Sequence, residues 1–417
     1  MSASGAGMSA LGAGMMRSNF YGVNPYADAC AVSLQQSQIL ERQFCSQHDP
    51  MTNNSINCLP RLFELGCSKC GSSSLAVHLG AMPSIHLLCP PDKVRPDGMC
   101  TDFKGGTDTF KDKDRAAEVL FRLHHELHHE RRALFQEIHV YDKTTSHYAV
   151  EEFAKREKQL AKAQLPLVRG TAVTTSLHHT PNYLNVPEAP GRINQTFAML
   201  GAALPSALRF LVILREPSRR AISSFWDKVG EHNAHWSANK TVEEGMHVME
   251  MEMAALHMVE VCLRKTPGSL SLQWRSQSSE SRCRAQYYRG FPFPHIEKGL
   301  YAPQLARWFQ VFGRCAIFVT TMERMYMRGT NTSIANLRAL LAWVGVENRL
   351  SEADLRMVVQ LSVNKKGGHI TFPAGFLQTL IHFYTPYNRQ LAALIGETVL
   401  DDWAHAYGSS SSAAPPG

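Results

Sequence analysis

The stretch that decides the fold reads Gly66-Cys67-Ser68-Lys69-Cys70-Gly71-Ser72-Ser73-Ser74-Leu75. It follows a short apolar run and opens a segment with helical character, so it predicts a strand, a turn and a helix. Such a turn directs backbone N–H groups and the positive end of a helix dipole towards an anion. In a Walker A loop the lysine directly follows the second glycine, whereas here Lys69 precedes Gly71. The stretch therefore predicts an anion-binding loop that differs from a P-loop.

A second anion site is predicted at residues 210–223, which read FLVILREPSRRAIS. The apolar run predicts a buried strand that ends in Arg215, and Ser223 follows eight residues later. A nucleoside triphosphatase needs an aspartate at such a strand end to hold magnesium. Arginine cannot ligate magnesium, but its planar fork suits phosphate. The two segments together indicate a ligand that is phosphorylated at both ends and held without a metal.

Both segments resemble those of sulfotransferases that use 3′-phosphoadenosine 5′-phosphosulfate (PAPS), in the Golgi carbohydrate branch with its heparan sulfate and chondroitin types. In that family a loop G-x-x-K-x-G-[ST]-[ST] binds the 5′-phosphosulfate, and a strand-end motif L-R-x-P-x-x-R-x-x-S binds the 3′-phosphate. The resemblance assigns the first role to Lys69, Cys70, Gly71, Ser72, Ser73 and Ser74. It assigns the second to Arg215, Ser223 and either Arg219 or Arg220.

Other segments extend the resemblance from about residue 61 to residue 407. The run from His179 to Tyr183, HTPNY, resembles the family's K-T-P-x-Y, with His179 where lysine is usual. A late basic loop, which closes over the cofactor in relatives, is implied at Lys365, Lys366, Gly367 and His369. Residues 61–407 are therefore expected to form the sulfotransferase domain. Residues 1–60 are expected to be a flexible tail or stem, and residues 408–417 a disordered end.

The expected catalytic base comes from a displaced motif. Relatives carry K-E-x-H-[FY]-[FWY] soon after the first helix, and the segment that fits here is QEIHVY at residues 136–141. The resemblance implies that residues 86–135 are an insertion and that Glu137 takes the proton from the attacking hydroxyl. Asp92 is the alternative, and Glu137 as a plain surface acid also remains open. Lys69 is expected to stabilise the departing phosphate, and His139 and His179 to orient the acceptor or share the base role, with structural histidines as the alternative.

The alternation of predicted elements gives the fold class. Strands are predicted at 61–65, 136–141, 208–214 and 315–321, and helices at 115–135, 150–163, 242–264 and 301–312. This order predicts a P-loop-like three-layer α/β/α fold with a central parallel sheet. A length of 417 residues with 44% hydrophobic and 19% charged residues suits one large domain.

Charge and cysteine content bear on partners and compartment. The formal charge of +7 suits an anionic cofactor and a carbohydrate acceptor, with an acidic glycan as one candidate. No basic stripe with interleaved aromatic residues occurs, so nucleic acid is not an expected partner. The resemblance implies a disulfide between Cys262 and Cys283, with free thiols as the alternative. Four glycosylation sequons begin at Asn53, Asn194, Asn239 and Asn331.

The resemblance also implies the Golgi lumen and an N-terminal membrane anchor. No stretch of eighteen apolar residues is present in this chain, and a real absence of the anchor favours the cytosol. A metalloprotease-like H-E-x-x-H occurs at His125–His129, but its flanks are charged and no third ligand follows at a recognised spacing, so no metal site is expected. A P-loop nucleotide kinase and a non-catalytic binding module stay as alternative functions.

Overall fold

The computed structural model describes residues 45–47, 56–58, 60–80, 82, 85–87, 135–137, 175–187, 189–200, 204–231, 242–265, 277–288, 294–346, 350–360 and 372–408. The strands are β1 (Cys45–Gln47), β2 (Ile56–Cys58), β3 (Leu62–Gly66), β4 (Ile85–Leu87), β5 (Phe135–Glu137), β6 (Thr175–His179), β7 (Arg209–Leu214) and β8 (Ile317–Thr321).

The helices fall into two groups along the chain. The first group is α1 (Ser72–Gly80), α2 (Ala189–Leu200), α3 (Leu204–Ala207), α4 (Pro217–Glu231), α5 (Val242–Lys265) and α6 (Gln277–Tyr287). The second group is α7 (Tyr301–Phe312), α8 (Met322–Tyr326), α9 (Thr330–Val344), α10 (Glu352–Gln360), α11 (Ala374–Ile395) and α12 (Thr398–Gly408). None of these helices is long and apolar enough to cross a bilayer.

A five-stranded sheet of order β4-β6-β3-β7-β8 forms the centre of the molecule, and its neighbouring strands are all parallel. This arrangement confirms the predicted α/β fold with a central parallel sheet. From β3 the chain builds outwards to β4 and β6 on one side, and then to β7 and β8 on the other. The carboxyl end of β3 is therefore the point at which the strand order reverses, where open α/β sheets bind their ligands.

Helices cover both faces of this sheet. On one face Phe63 of β3 lies beside Phe210 of β7, with ring centroids 5.5 Å apart, and Phe210 packs against Trp308 of α7 at 5.1 Å. On the other face Leu211 is in register with Phe318 of β8, whose ring lies 5.5 Å from that of Trp343 in α9. Because side chains alternate along a strand, β3 and β7 are buried on both faces, as expected for a parallel sheet.

The predicted strands and the structure differ in two ways. Of the segment predicted as a strand at 136–141, residues 136 and 137 belong to β5, which is part of a second sheet of order β1-β2-β5, and residues 138–141 lie outside the described residues. The main sheet uses β6 in its interior instead, a strand that contains two adjacent histidines and so lacks a continuous apolar run. Periodicity alone does not reveal such a strand, because its burial depends on its neighbours.

The long helices agree closely with the prediction. Helix α7 begins and ends at the predicted residues 301 and 312, and α5 extends one residue beyond the predicted 242–264. The predicted disulfide is confirmed: Cys262 of α5 is joined to Cys283 of α6, with Cα atoms 5.8 Å apart. The predicted helices at 115–135 and 150–163 lie outside the described residues except at residue 135, as does most of the predicted insertion.

Candidate functional site

The predicted anion loop lies at the carboxyl end of β3. The N–H of Cys67 donates to the carbonyl of Ile213 in β7 at 2.8 Å, and the N–H of Cys70 donates back to Cys67 at 3.2 Å. Gly66 has φ +112°, and a Cβ on it would lie 2.2 Å from the carbonyl oxygen of Pro181. Only glycine allows this close approach between the loop and the turn that follows β6.

Helix α1 begins directly after this loop. Ser72, Ser73 and Ser74 form its first turn, whose N–H groups have no acceptor inside a helix, so the helix start suits an anion. Lys69 adopts a left-handed conformation with φ +69°. The structure thus gives the predicted strand, turn and helix, with the lysine on the turn itself.

Arg215 joins the second predicted segment to this loop. It follows β7 directly, and its Nη1 donates to the carbonyl of Lys69 at 3.1 Å. The hydroxyl of Tyr301 donates to the carbonyl of Arg215 at 2.8 Å, which fixes the strand end. Burial lowers the pKa of Arg215, and the nearby carboxylate of Glu323 opposes that effect. Two segments that are 146 residues apart in sequence therefore meet at one edge of the sheet.

Helix α4 distinguishes the two arginines that the motif left open. Arg220 is fully buried, and its Nη2 donates to the carbonyl of His295. Arg219 and Ser223 are partly exposed and lie four residues apart on one side of the helix. Arg219 is therefore the arginine that can face a ligand together with Ser223.

A carboxylate already occupies the start of α4. Glu216 accepts from the N–H groups of Ser218 at 3.0 Å and Arg219 at 2.8 Å. Its own N–H donates to Oε1 of Glu323 at 3.0 Å. A phosphate beside this helix must then be held by side chains, since the cap uses these two backbone donors.

His179 is paired with a buried carboxylate. It is the last residue of β6, in register with Glu64 of β3, and its Nδ1 is hydrogen-bonded to Oε2 of Glu64. Oε1 of Glu64 accepts from the N–H of Gly66 at 3.1 Å. The preceding residue, His178, faces the opposite side, where its ring stacks on Tyr183 and its Nε2 lies 2.7 Å from the hydroxyl of Thr180. Sequence reasoning missed Glu64, for which the only signal was an acidic residue in an apolar strand.

Two further side chains, Tyr326 and His78, lie close to each other beside the loop. Tyr326 of α8 lies under the loop, where a Cβ on Gly71 would be 3.2 Å from its ring, and its hydroxyl lies 3.3 Å from Nδ1 of His78. Burial raises the pKa of Tyr326, and the carboxylate of Glu64 raises it further. Tyr326 is therefore held in its neutral form beside the Glu64–His179 pair.

The loop also contains a disulfide that sequence reasoning missed. Cys67 and Cys70 are joined, with Cα atoms 5.3 Å apart, and their sulfur atoms lie 3.4 and 3.7 Å from the hydroxyl oxygen of Tyr301. The C-x-x-C spacing of Cys67 and Cys70 was the available signal.

The remaining predicted residues are not brought to this edge by the described structure. Glu137 lies in β5, where it pairs with Cys58, four residues before β3 begins. Outside the described residues lie the alternative base Asp92, the predicted His139 and the late basic loop with Lys365, Lys366, Gly367 and His369. Across the described part of the chain, no group of three or more metal-ligating side chains occurs.

Comparison with known proteins finds likeness among solved structures. No family model and no curated protein matches the sequence. Among solved structures, the chain is similar to the crystal structure of a sulfotransferase from Alicyclobacillus acidocaldarius, with 18% identity and a TM-score of 0.40. The alignment covers 81% of this chain and 95% of that chain.

Proposed function

We propose that the protein transfers a sulfuryl group from PAPS to a hydroxyl group of a carbohydrate. The observation that carries this proposal is the contact of Arg215 Nη1 with the carbonyl of Lys69, which brings two anion-binding segments to one edge of the sheet. Each segment matches one half of the family motif, and a nucleotide phosphorylated at both its 3′ and 5′ positions requires both halves together. The alternative ligands ADP and ATP lack the 3′-phosphate.

The residues at this edge suit the two ends of the nucleotide. Lys69 and the first turn of α1 offer a positive side chain and backbone donors for the 5′-phosphosulfate. Arg215, Arg219 and Ser223 offer side-chain donors for the 3′-phosphate, beside a helix start that Glu216 already caps. The sequence resemblance adds Lys365, Lys366, Gly367 and His369, which lie outside the described residues, to the proposed cofactor site.

The reaction joins an acceptor oxygen to sulfur. The oxygen of the hydroxyl attacks in line, the bond from sulfur to the 5′-phosphate oxygen breaks, and 3′-phosphoadenosine 5′-phosphate (PAP) leaves. Lys69 and the loop N–H groups stabilise the charge that grows on the departing phosphate, as in phosphoryl transfer. The sequence motif predicts Glu137 as the proton acceptor, and it leaves His139 and His179 to orient the acceptor or to share that role. No step requires a metal.

The proposed acceptor is a glycan, with an acidic one favoured by the formal charge of +7. The Cys262–Cys283 disulfide supports an oxidising compartment, and the sequence resemblance implies the Golgi lumen.

Calorimetric binding of PAP, ADP and ATP with magnesium tests the proposal, and Arg215→Ala is the decisive variant. We expect PAP to bind most tightly and without metal. Because a hydrogen bond to a charged group contributes about 1.5–3 kcal/mol, we expect Arg215→Ala to weaken PAP binding about 10- to 100-fold.

The matched control is Arg209→Ala. Arg209 lies at the amino end of the same strand, where burial lowers its pKa to about 10 and it donates to the carbonyls of Ser206 and Leu208. We expect this variant to bind PAP as the unchanged protein does. Tighter binding of ATP with magnesium contradicts the proposal and favours a kinase, and no binding of any nucleotide favours a non-catalytic module.

A further inference from the structure

We infer that His179 is the general base of the transfer and that Glu64 holds it in its reactive tautomer, an inference that rests on the proposed sulfuryl transfer. Glu64 is a positioning residue in this scheme because it acts through the imidazole. Neither the sequence motif nor any family match points to Glu64, and it is the register of two parallel strands that brings it to His179.

Glu64 lies at a buried position where a charged carboxylate has a high desolvation free energy. Its side chain is fully buried, and in its row across the sheet the next residues are the apolar Leu211 and Phe318. Burying a charged carboxylate costs several kcal/mol unless it is paired and hydrogen-bonded. The imidazole of His179 and the N–H of Gly66 are the partners that meet this requirement. Leu211 and Phe318 cannot pair with a carboxylate, so Glu64 depends on the imidazole and this N–H group.

The pairing fixes the tautomer of His179. Because Nδ1 faces a carboxylate, it carries the proton, and Nε2 keeps a lone pair that can accept one. The side chain of His179 is 17% exposed, whereas that of Glu64 is not exposed at all, so the imidazole can be reached from outside and its partner cannot. This is the arrangement in which a buried acid orients a histidine that acts as a base.

The pair is attached to the loop that is proposed to hold the phosphosulfate. The side chain of Glu64 accepts from the N–H of Gly66, the first residue of the loop. The backbone carbonyl of Glu64 accepts from the N–H of Thr180 at 3.0 Å. Pro181, two residues after His179, is in contact with Gly66. The base is thereby placed beside the entrance of the loop, at the carboxyl end of β3. The strand of Glu137 instead pairs with a residue that precedes the amino end of β3.

The proton balance of the step is simple. Nε2 of His179 removes the proton from the acceptor hydroxyl while the oxygen of that hydroxyl forms its bond to sulfur. The bond between sulfur and the 5′-phosphate oxygen breaks, and its electron pair leaves with PAP. The products are a sulfate ester, PAP and a protonated His179, which then releases one proton to solvent. The carboxylate of Glu64, hydrogen-bonded to Nδ1, stabilises the imidazolium.

The experiment measures transfer of radiolabelled sulfate from PAPS to chemically desulfated heparin and desulfated chondroitin, with PAP binding measured in parallel. We expect His179→Ala to lower kcat by about 10²- to 10⁴-fold, the usual contribution of a general base. PAP affinity should change less than threefold, and added imidazole should restore part of the turnover. The matched control is the neighbouring variant His178→Ala. Added imidazole should not change the turnover of this variant.

The role of Glu64 is tested by a double-mutant cycle. Glu64→Gln should lower kcat when His179 is present and should have no further effect on His179→Ala, because a positioning residue has nothing left to position. Purely structural damage would instead reduce turnover in both backgrounds. Where His179→Ala does not fold, as judged by its thermal unfolding, His179→Asn takes its place in the cycle.

The outcomes separate this inference from the proposed function. If the unchanged protein does not bind PAP, the proposed function fails and the inference fails with it. If the protein transfers sulfate and His179→Ala retains full activity, the inference alone is overturned. The same holds if His179→Ala is inactive but is not rescued by imidazole.

Loss of transfer in Glu137→Gln together with full activity of His179→Ala would establish Glu137 as the base. If PAP binds but neither glycan is sulfated, hydrolysis of PAPS is compared across the same variants, and no hydrolysis by the unchanged protein also overturns the inference.

Discussion

Replacing Gly66 with alanine tests the contact that joins the anion loop to the turn after β6. Gly66 has φ +112°, a conformation that costs an L-residue about 1–3 kcal/mol. The added Cβ would lie 2.2 Å from the carbonyl oxygen of Pro181, a backbone atom that can move only with the turn that follows β6. Forcing extra volume into a packed site costs typically about 1–3 kcal/mol more. Alanine also restricts the unfolded chain, which offsets about 0.4–1 kcal/mol.

The matched control for this prediction is Gly396→Ala. Gly396 follows α11 with φ +104°, close to the φ of Gly66, but nothing lies within 4 Å of the position that its Cβ would take. Both variants thus place alanine at a positive φ, and the contact with Pro181 occurs in only one of them. We expect Gly66→Ala to be less stable than Gly396→Ala by about 1–3 kcal/mol.

The assay is urea unfolding of both variants, with PAP binding measured alongside. The midpoint should fall further for Gly66→Ala at an unchanged slope, and this variant alone should lose PAP affinity, because a shift of Pro181 displaces the loop. If the two variants unfold at the same midpoint, the loop does not depend on this close approach, and the reasoning is refuted.

Two further predictions concern stability. Replacing both Cys262 and Cys283 with serine removes a disulfide that spans a sequence separation of 21, and the chain-entropy relation predicts that the free energy of unfolding falls by about 3 kcal/mol. The measurement is the urea midpoint of the double variant and of the unchanged protein, both without reductant. Equal midpoints would contradict the prediction. Burial raises the pKa of Glu323, so the folded state holds the proton to higher pH than the unfolded state, and stability falls as pH rises above the usual carboxyl range. Glu323→Gln keeps an acceptor for the N–H of Glu216 and should flatten this fall in pH-dependent thermal unfolding, and an unchanged pH profile would rule Glu323 out as its source.

The sequence predicted the backbone elements of the site well, because a turn, a helix start and a strand each depend on a few neighbouring residues. Gly66 and Gly71 mark turns that need positive φ, and the serines after them favour a helix start, so the loop was visible without any partner. The run that ends in Arg215 was recognisable as a buried strand from its continuous apolar residues. Helix α7 was predicted at both ends from its apolar periodicity.

The sequence was a weaker guide wherever two distant strands had to be aligned. Strand β6 was missed because its histidines interrupt the apolar pattern, and its burial comes from β3 and β4 on either side. The segment that contains Glu137 was expected in the main sheet and forms part of a second one. Its proposed role as a base stays a prediction.

The sequence by itself therefore determined which segments form the turn, the helix start and the strand end of the proposed anion sites, since these are properties of a few neighbouring residues. The tertiary structure alone decided which side chains face one another. It turned Arg220 into the core and left Arg219 partly exposed, and it paired Glu64 with His179 across 115 residues. The physical reason is that strand register is fixed by packing of the whole sheet, and a shift of one residue would turn either side chain to the opposite face.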